Sequence, residues 1–314
     1  MQSVRSNVNN LEVTMSIQYE KLQTPEGYVT TTPQPTPEQL SRFYAETYYQ
    51  APQSSTYQVS YDELELNYKK MKCDALMQAL SGYCQEEGSS FLDIGAGEGF
   101  LLNAAHQRGF DVTGLDFSAY GVEKFFPELS SRHVAGDVFA SLGELVAQGR
   151  KYDVCTSTNV LEHVIDPDMF LGLVKKVMGP NTVFALTVPN DFSDIQRLAV
   201  EEGMIDREFW FVPPHHLQYF NTDNLVPYLV KNGFEVVDAF SDFPVDLYLL
   251  HSESNYIMKP ASGRDANRAR MHHDLMIVRK YGLDRYLDYY RAMFKVGIGR
   301  DINVIVRLAG GRSL

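Results

Sequence analysis

Apolar residues along this chain follow two different rhythms. The stretch TPEQLSRFYAETYYQ repeats at helical spacing, with Thr36 placed to cap a helix and Pro37 at its first position. A second helix is predicted from about Tyr61 to Cys84, where Leu64, Leu66, Met71, Ala75, Leu76 and Leu80 form one stripe. From Ser89 onward, short apolar runs alternate with helical stretches, which predicts βαβ units and a parallel sheet. The strands expected are SFLDIG, DVTGLD, SRHVAGD, YDVCTST and TVFALTVPN, with helices from Phe100 to Arg108 and from Met169 to Met178 among those between. Further on, DNLVPYLVKNG reads as a helix closed by Gly233, and FEVVDAFS as a strand. DINVIVRLA is the last strand, reached after about 60 mostly helical residues that a minimal α/β unit does not need.

This pattern divides the chain. Residues 1–36 are polar and interrupted by Pro25, Pro33 and Pro35, which predicts a flexible tail. Residues 37–88 form a helical lead-in rich in tyrosine (Tyr44, Tyr48, Tyr49, Tyr57, Tyr61, Tyr68). These rings either pack on a neighbouring domain or belong to a lid whose phenols line a polar pocket. Residues 89–241 are the α/β domain, 242–299 a helical insertion, and 300–314 the last strand and its tail. The expected fold is a Rossmann-like, doubly wound, mostly parallel sheet.

Composition removes several classes. The 314 residues are 44% hydrophobic and 22% charged, which excludes a disordered or collagen-like chain. Three cysteines with no CxxC pair suit a reducing cytoplasm. No apolar run reaches the roughly 20 residues of a membrane helix, and the N-terminus carries no apolar stretch of signal-peptide type. A net charge of −12 argues against a nucleic-acid partner. The charge is uneven, however. Between Arg264 and Arg300 nine basic residues stand against four aspartates, which reads as a solvated helix face or as a local anion site.

The most informative segment is FLDIGAGEGF, Phe91 to Phe100. An apolar strand ends near Asp93, and Gly95, Gly97 and Gly99 open a helix, allowing a tight turn and close approach of a ligand to the backbone. A dinucleotide fingerprint requires glycine where Phe100 stands, so the loop is spaced G-x-G-x-G and has no need to cradle a pyrophosphate. Three later strand ends agree with it. Asp116 closes the second strand, where a carboxylate can accept both hydroxyls of a ribose. Asp137 follows the third, where it can accept from an exocyclic adenine amine while the backbone of Val138 donates to a ring nitrogen. Asn159, Glu162 and His163 follow the fourth. Asp116 and Asp137 can equally be helix caps.

Taken together, these residues resemble the class I S-adenosylmethionine-dependent methyltransferases over roughly Ser89 to Ser241 plus the last strand. The resemblance implies a seven-stranded sheet ending in an antiparallel strand, Ile302 to Leu308, and S-adenosyl-L-methionine as cofactor. It places Asp93, Gly95, Ala96 and Gly97 against the methionine part, Asp116 at the ribose, Phe117 flanking the adenine, and Asp137 with Val138 at its edge. Asn159 joins this cofactor side. The segment NVLEHVIDP looks like that of small-molecule O-methyltransferases and of sugar-modifying members, which implies polysaccharide or natural-product biosynthesis.

Transfer to a hydroxyl needs proximity, alignment and a base, and histidine titrates near neutrality. Of eight histidines, His163 follows the fourth strand, and His215 and His216 sit in FWFVPPHHLQYFN after the fifth. That loop resembles a P-x-H-L-x-x-F segment of sugar and natural-product methyltransferases, in which His216 matches best. The catalytic candidates are therefore His216, His215 and His163, each of which can instead brace its loop. No tight acidic cluster is visible, although Glu162, Asp191 and Asp194 are conceivable oxygen donors, so no metal is assigned. The expected partner is a small acceptor, sugar-like or phosphorylated; a homodimer is left open, and neither nucleic acid nor a membrane is expected. Transfer to nitrogen or carbon and a non-catalytic binding module are the alternatives.

Overall fold

The computed structural model describes residues 17–43 and 60–310. A hairpin of β1 (Glu20–Gln23) and β2 (Val29–Thr32) leads to α1 (Pro37–Phe43) and, beyond residues 44–59, to α2 (Glu63–Ser81). The α/β body follows as β3 (Ser90–Ile94), α3 (Phe100–Gln107), β4 (Asp111–Asp116), α4 (Tyr120–Phe125), β5 (His133–Ala135) and α5 (Val138–Ala147). It continues with β6 (Tyr152–Thr158), α6 (Pro167–Val177), β7 (Met178–Pro189), α7 (Asp194–Glu201), β8 (Gln218–Tyr219), α8 (Thr222–Lys231) and β9 (Phe234–Ser241). A long helix, α9 (Gly263–Lys295), precedes β10 (Asp301–Leu308).

The main sheet has seven strands in the order β5-β4-β3-β6-β7-β10-β9. Pairings from β5 through β7 are parallel, while β10 runs antiparallel to both β7 and β9. The mostly parallel sheet is the one read from the alternating pattern, and its seven strands with an antiparallel last strand are those the resemblance implies. After β5 the chain returns to the other side of β3, so the carboxyl ends of β3 and β6 flank a crevice of the kind where doubly wound sheets bind ligands. Because β10 is reversed, its first residue, Asp301, pairs with Pro189 at the carboxyl end of β7. Arg300 and Asp301 thereby reach the same edge.

Local chemistry accounts for the element ends. Thr36 and Gln39 exchange side-chain and backbone bonds at the start of α1, and Asp62 forms the same box with Glu65 at α2. The apolar stripe of α2 buries Met71, Ala75, Leu76 and Leu80 against the sheet and α9. Leu66 departs from the expected stripe and is exposed. The helical insertion is α9, interrupted at Gly282, whose φ of 82° breaks the helical path.

The expected flexible tail needs correction over its second half. Residues 20–32 form the β1–β2 hairpin, and β2 continues into β8 through Val29 opposite Tyr219 and Thr30 opposite Gln218. The prolines frame this hairpin rather than prevent it, and Tyr28 packs on Phe220 and Tyr228 in the core. Residues 1–16 lie outside the described part. So do Tyr44, Tyr48, Tyr49 and Tyr57 of the lead-in.

Candidate active site

One cavity of about 1080 Å³ opens along the carboxyl edge of the sheet. Of the residues singled out by sequence, its wall contains Asp93, Gly95, Ala96, Gly97, Asp116, Phe117, Asp137, Val138 and Asn159, together with Glu162, His163, His215 and His216, but not Gly99, Asp191 or Asp194.

The glycine loop is held by its own hydrogen bonds. Gly95 N and Ala96 N both donate to Leu115 O, at 2.7 and 2.9 Å, and Gly97 N donates to Asp116 Oδ2 at 2.9 Å. These amides are spent inside the fold, which agrees with a loop that does not cradle a phosphate. Gly95 has φ +81°, and a Cβ there would lie 2.2 Å from Val160 Cγ2. Only glycine fits between β3 and the turn after β6. Gly121 does the same job from the other side, since a Cβ on it would meet Gly97 O at 2.5 Å. Its role had no signal in the sequence, because the contact joins α4 to the loop across the turn.

The acidic residues divide by environment. Asp93 is buried, accepts from Thr156 Oγ1 at 2.8 Å, and is pushed up to about 7 by burial, with Asp116 adding to the rise and Thr156 opposing it. Asp116 is nearly buried and accepts from Gly97 N and Ser118 N, so it ties the loop as well as facing the cavity. Asp137 does cap α5, accepting from Ala140 N at 2.8 Å through Oδ1, yet it also stands on the cavity wall. Val138 is the first residue of α5, where helix geometry leaves the N–H without an intrahelical acceptor. Asn159 closes β6 with φ +54°, a left-handed conformation uncommon outside glycine.

The histidines come together through two loops. Leu217 N donates to Glu162 O at 2.7 Å, which clips the His215–His216 loop to the turn carrying His163. His163 Nδ1 lies 2.6 Å from His215 O, and the three rings sit 4.8 to 5.1 Å apart between centroids. Burial and the neighbouring rings hold His163 well below its usual range, and the same causes lower His215 to about 4. Asp191 accepts from Arg300 Nη1 at 2.8 Å and stands 3.7 Å from His216 Nδ1. The hairpin braces this loop from behind, with Thr31 N donating to Leu217 O. Of the conceivable oxygen donors, Asp194 is turned to solvent against Arg197, away from Glu162 and Asp191.

Beyond the histidines the cavity extends toward α2 and β10, where Lys72, Tyr286, Arg300, Asp301 and Asn303 line it. Lys72 Nζ bonds Asp242 at 3.2 Å, and Asp242 also accepts from the backbone of Arg300 and Asp301. Over the loop, Glu98 accepts from Tyr61 and Lys69 at 2.6 and 2.9 Å. Tyr61 is one of the lead-in tyrosines; Lys69, Lys72, Glu98 and Asp242 were not singled out, because their partners lie far apart in sequence. The basic run also resolves: Arg268 pairs with Asp62, Arg291 with Asp238 and Arg300 with Asp191.

A protein-family model described as "Methyltransferase domain" matches residues 66–239. The chain belongs to the class I S-adenosylmethionine-dependent methyltransferases. A protein of Mycolicibacterium smegmatis named as a probable S-adenosylmethionine-dependent methyltransferase is 27% identical over 182 residues, 57% of this chain and 64% of that one. The ubiquinone biosynthesis O-methyltransferase of Brucella ovis is 34% identical over 104 residues, 32% of this chain and 42% of the relative. The chain thus spans less than two thirds of either. Among solved structures, a methyltransferase of Archaeoglobus fulgidus superposes with TM-score 0.45 at 18% identity, covering 78% of this chain and all of that one. Magnesium protoporphyrin IX methyltransferase of Synechocystis with bound S-adenosylhomocysteine gives 0.44 at 16%, covering 63% and 89%.

The family cofactor suits the residues present. The loop that only glycine can form, the carboxylate after β4 and the first N–H of α5 supply close backbone approach, an acceptor pair and a donor. Among the described residues, no helix is long and apolar enough to cross a membrane.

Proposed function

We propose that the protein transfers a methyl group from S-adenosylmethionine to a hydroxyl of a small acceptor, such as a sugar, nucleotide-sugar or natural-product intermediate. The observation that carries this reading is a single cavity with the glycine loop on one wall and three histidines beside it. When bound, the cofactor supplies an electrophilic methyl group on a sulfonium. What the chain contributes is alignment, exclusion of water and removal of one proton. Asp93, Gly95, Ala96 and Gly97 hold the amino-acid end, Asp116 the ribose, and Phe117, Asp137 and Val138 the adenine, with Asn159 at the junction.

The histidine cluster handles the acceptor's proton, with His216 first, then His215 and His163. Lowered values for His163 and His215 keep those rings neutral at pH 7, the form able to take a proton. The named function of the Brucella relative supports oxygen as the acceptor atom. Lys72 and Arg300 at the far end are each paired with an acid, which favours a polar acceptor over a strongly anionic one. Such an enzyme would serve polysaccharide or natural-product biosynthesis in the cytoplasm.

Incubation with isotope-labelled cofactor and a panel of hydroxylated acceptors tests the reading, with mass spectrometry locating the label. Label on oxygen, lost in His216→Ala while S-adenosylhomocysteine still binds, is the expected result. Label on nitrogen or carbon would replace the acceptor class, and an unchanged rate in the variant would remove His216 as base.

A further inference from the structure

Three imidazoles rarely gather at the open wall of a cavity without a reason, and here their surroundings suggest one. One ring nitrogen from each of His163, His215 and His216 lies within 4.8 Å of the others. His163 crosses the other two rings nearly at right angles, at 84° and 82°, while His215 and His216 stack on each other at 18°. His163 points Nδ1 at the carbonyl oxygen of His215, 2.6 Å away. Ligating histidines commonly donate their second ring nitrogen in this way, which directs the Nε2 lone pair to the ion. His216 has the carboxylate of Asp191 3.7 Å from its Nδ1, the other usual means of orienting such a ring.

One polar atom at this point is left unsatisfied. Glu162 is 1% exposed, and its Oε2 has no hydrogen-bond partner among the described residues, while Oε1 stands 3.8 Å from His163 Nε2. A buried polar atom left in this state has lost its water without a replacement, so such atoms usually mark a missing partner.

We propose that His163, His215 and His216 form a binding site for one divalent first-row transition-metal ion, with Glu162 as a neighbouring oxygen donor. The imidazole set selects an ion of the zinc, cobalt or nickel type over magnesium, which prefers oxygen ligands. Nitrogens at about 2.1 Å from such an ion stand roughly 3.4 Å apart, so ring nitrogens within 4.8 Å need to close by up to about 1.4 Å. The site faces the cavity, which leaves a coordination position open toward the acceptor end. For its chemical purpose the proposal rests on the transfer reading above: an ion held there would orient the acceptor oxygen and acidify its hydroxyl, whose proton would pass to solvent water in the cavity, while a histidine base serves in the metal-free protein.

The test uses the full chain freed of metal with a chelator and then titrated with Co²⁺, followed by visible absorption and, in parallel, by calorimetry with Zn²⁺. One equivalent with a ligand-field band is expected, weakened at least about tenfold in His163→Ala and in His216→Ala. His216→Asn, with circular dichroism on each variant, covers the case in which alanine disturbs the loop. His106→Ala, on the exposed side of α3, keeps full binding. The same samples are titrated with S-adenosylhomocysteine. A Co²⁺ titration with no absorption change, or binding that survives replacement of all three histidines, overturns the proposal. Loss of S-adenosylhomocysteine binding in the wild-type protein instead strikes the transfer reading and leaves the ion result standing.

Discussion

At the scale of single residues, the site is controlled by positions where one atom more or less decides the outcome. Adding a methyl at Gly95 forces a left-handed alanine, costing about 1–2 kcal/mol, and drives it into Val160 for a further 1–3 kcal/mol. Gly95→Ala should therefore lower stability measurably in urea. Adding Val160→Ala should restore the overlap portion and leave the backbone portion; no recovery would mean that the side-chain contact is not the cause. Asp93 makes a pH prediction. Its folded value is raised to about 7, whereas an unfolded aspartate titrates near 3.9. Between about pH 4 and 7 the folded protein keeps a proton that the unfolded chain has lost, so this residue's contribution to stability falls as pH rises. Asp93→Asn should remove that slope and stabilise the cofactor-free protein at pH 8, by up to about 4 kcal/mol. Parallel melting curves for wild type and variant across this range would show it, and identical slopes would contradict it.

At the scale of elements, legibility followed the distance over which a cause acts. The βαβ body could be read from apolar runs because each strand carries its own burial pattern, and its loop residues stand directly after those strands. The β1–β2 hairpin could not, since its residues are polar and half-exposed and its pairing partner, β8, is almost 190 residues away. The same holds for α9. Its basic residues looked like a solvated face, but Asp274 within it is fully buried and accepts from Tyr68 and Tyr290, with Tyr286 Oη at 3.5 Å. This carboxylate pins α9 to α2, and α2 forms one wall of the cavity. Asp274→Ala leaves those hydroxyls without their acceptor and should cost about 3 kcal/mol. A urea midpoint unchanged from wild type would show that apolar packing alone holds the two helices.

At the scale of the whole molecule, the reversed β10 explains how residues near the end of the chain come to line the cavity. It brings Arg300 and Asp301 from the far end of the chain to the edge where β3, β4 and β6 present the glycine loop and its carboxylates. Two separately read features, the LEH turn and the PPHHL loop, become one cluster only because β6 and β7 are neighbours in the sheet. Their meeting required the strand order, which no local pattern contains. The net acidity also has a structural sense: much of the positive charge near the site is spent on internal pairs such as Arg300–Asp191 and Lys72–Asp242. We propose that this edge binds the sulfonium cofactor through the loop and Asp116. Calorimetry with S-adenosylhomocysteine, S-adenosylmethionine and NAD, repeated on Asp116→Ala, tests it most directly. One equivalent of either adenosyl compound, no heat with NAD, and a loss of about 1–3 kcal/mol in the variant are expected. NAD binding without a response to the adenosyl compounds, or undiminished affinity in Asp116→Ala, would contradict it.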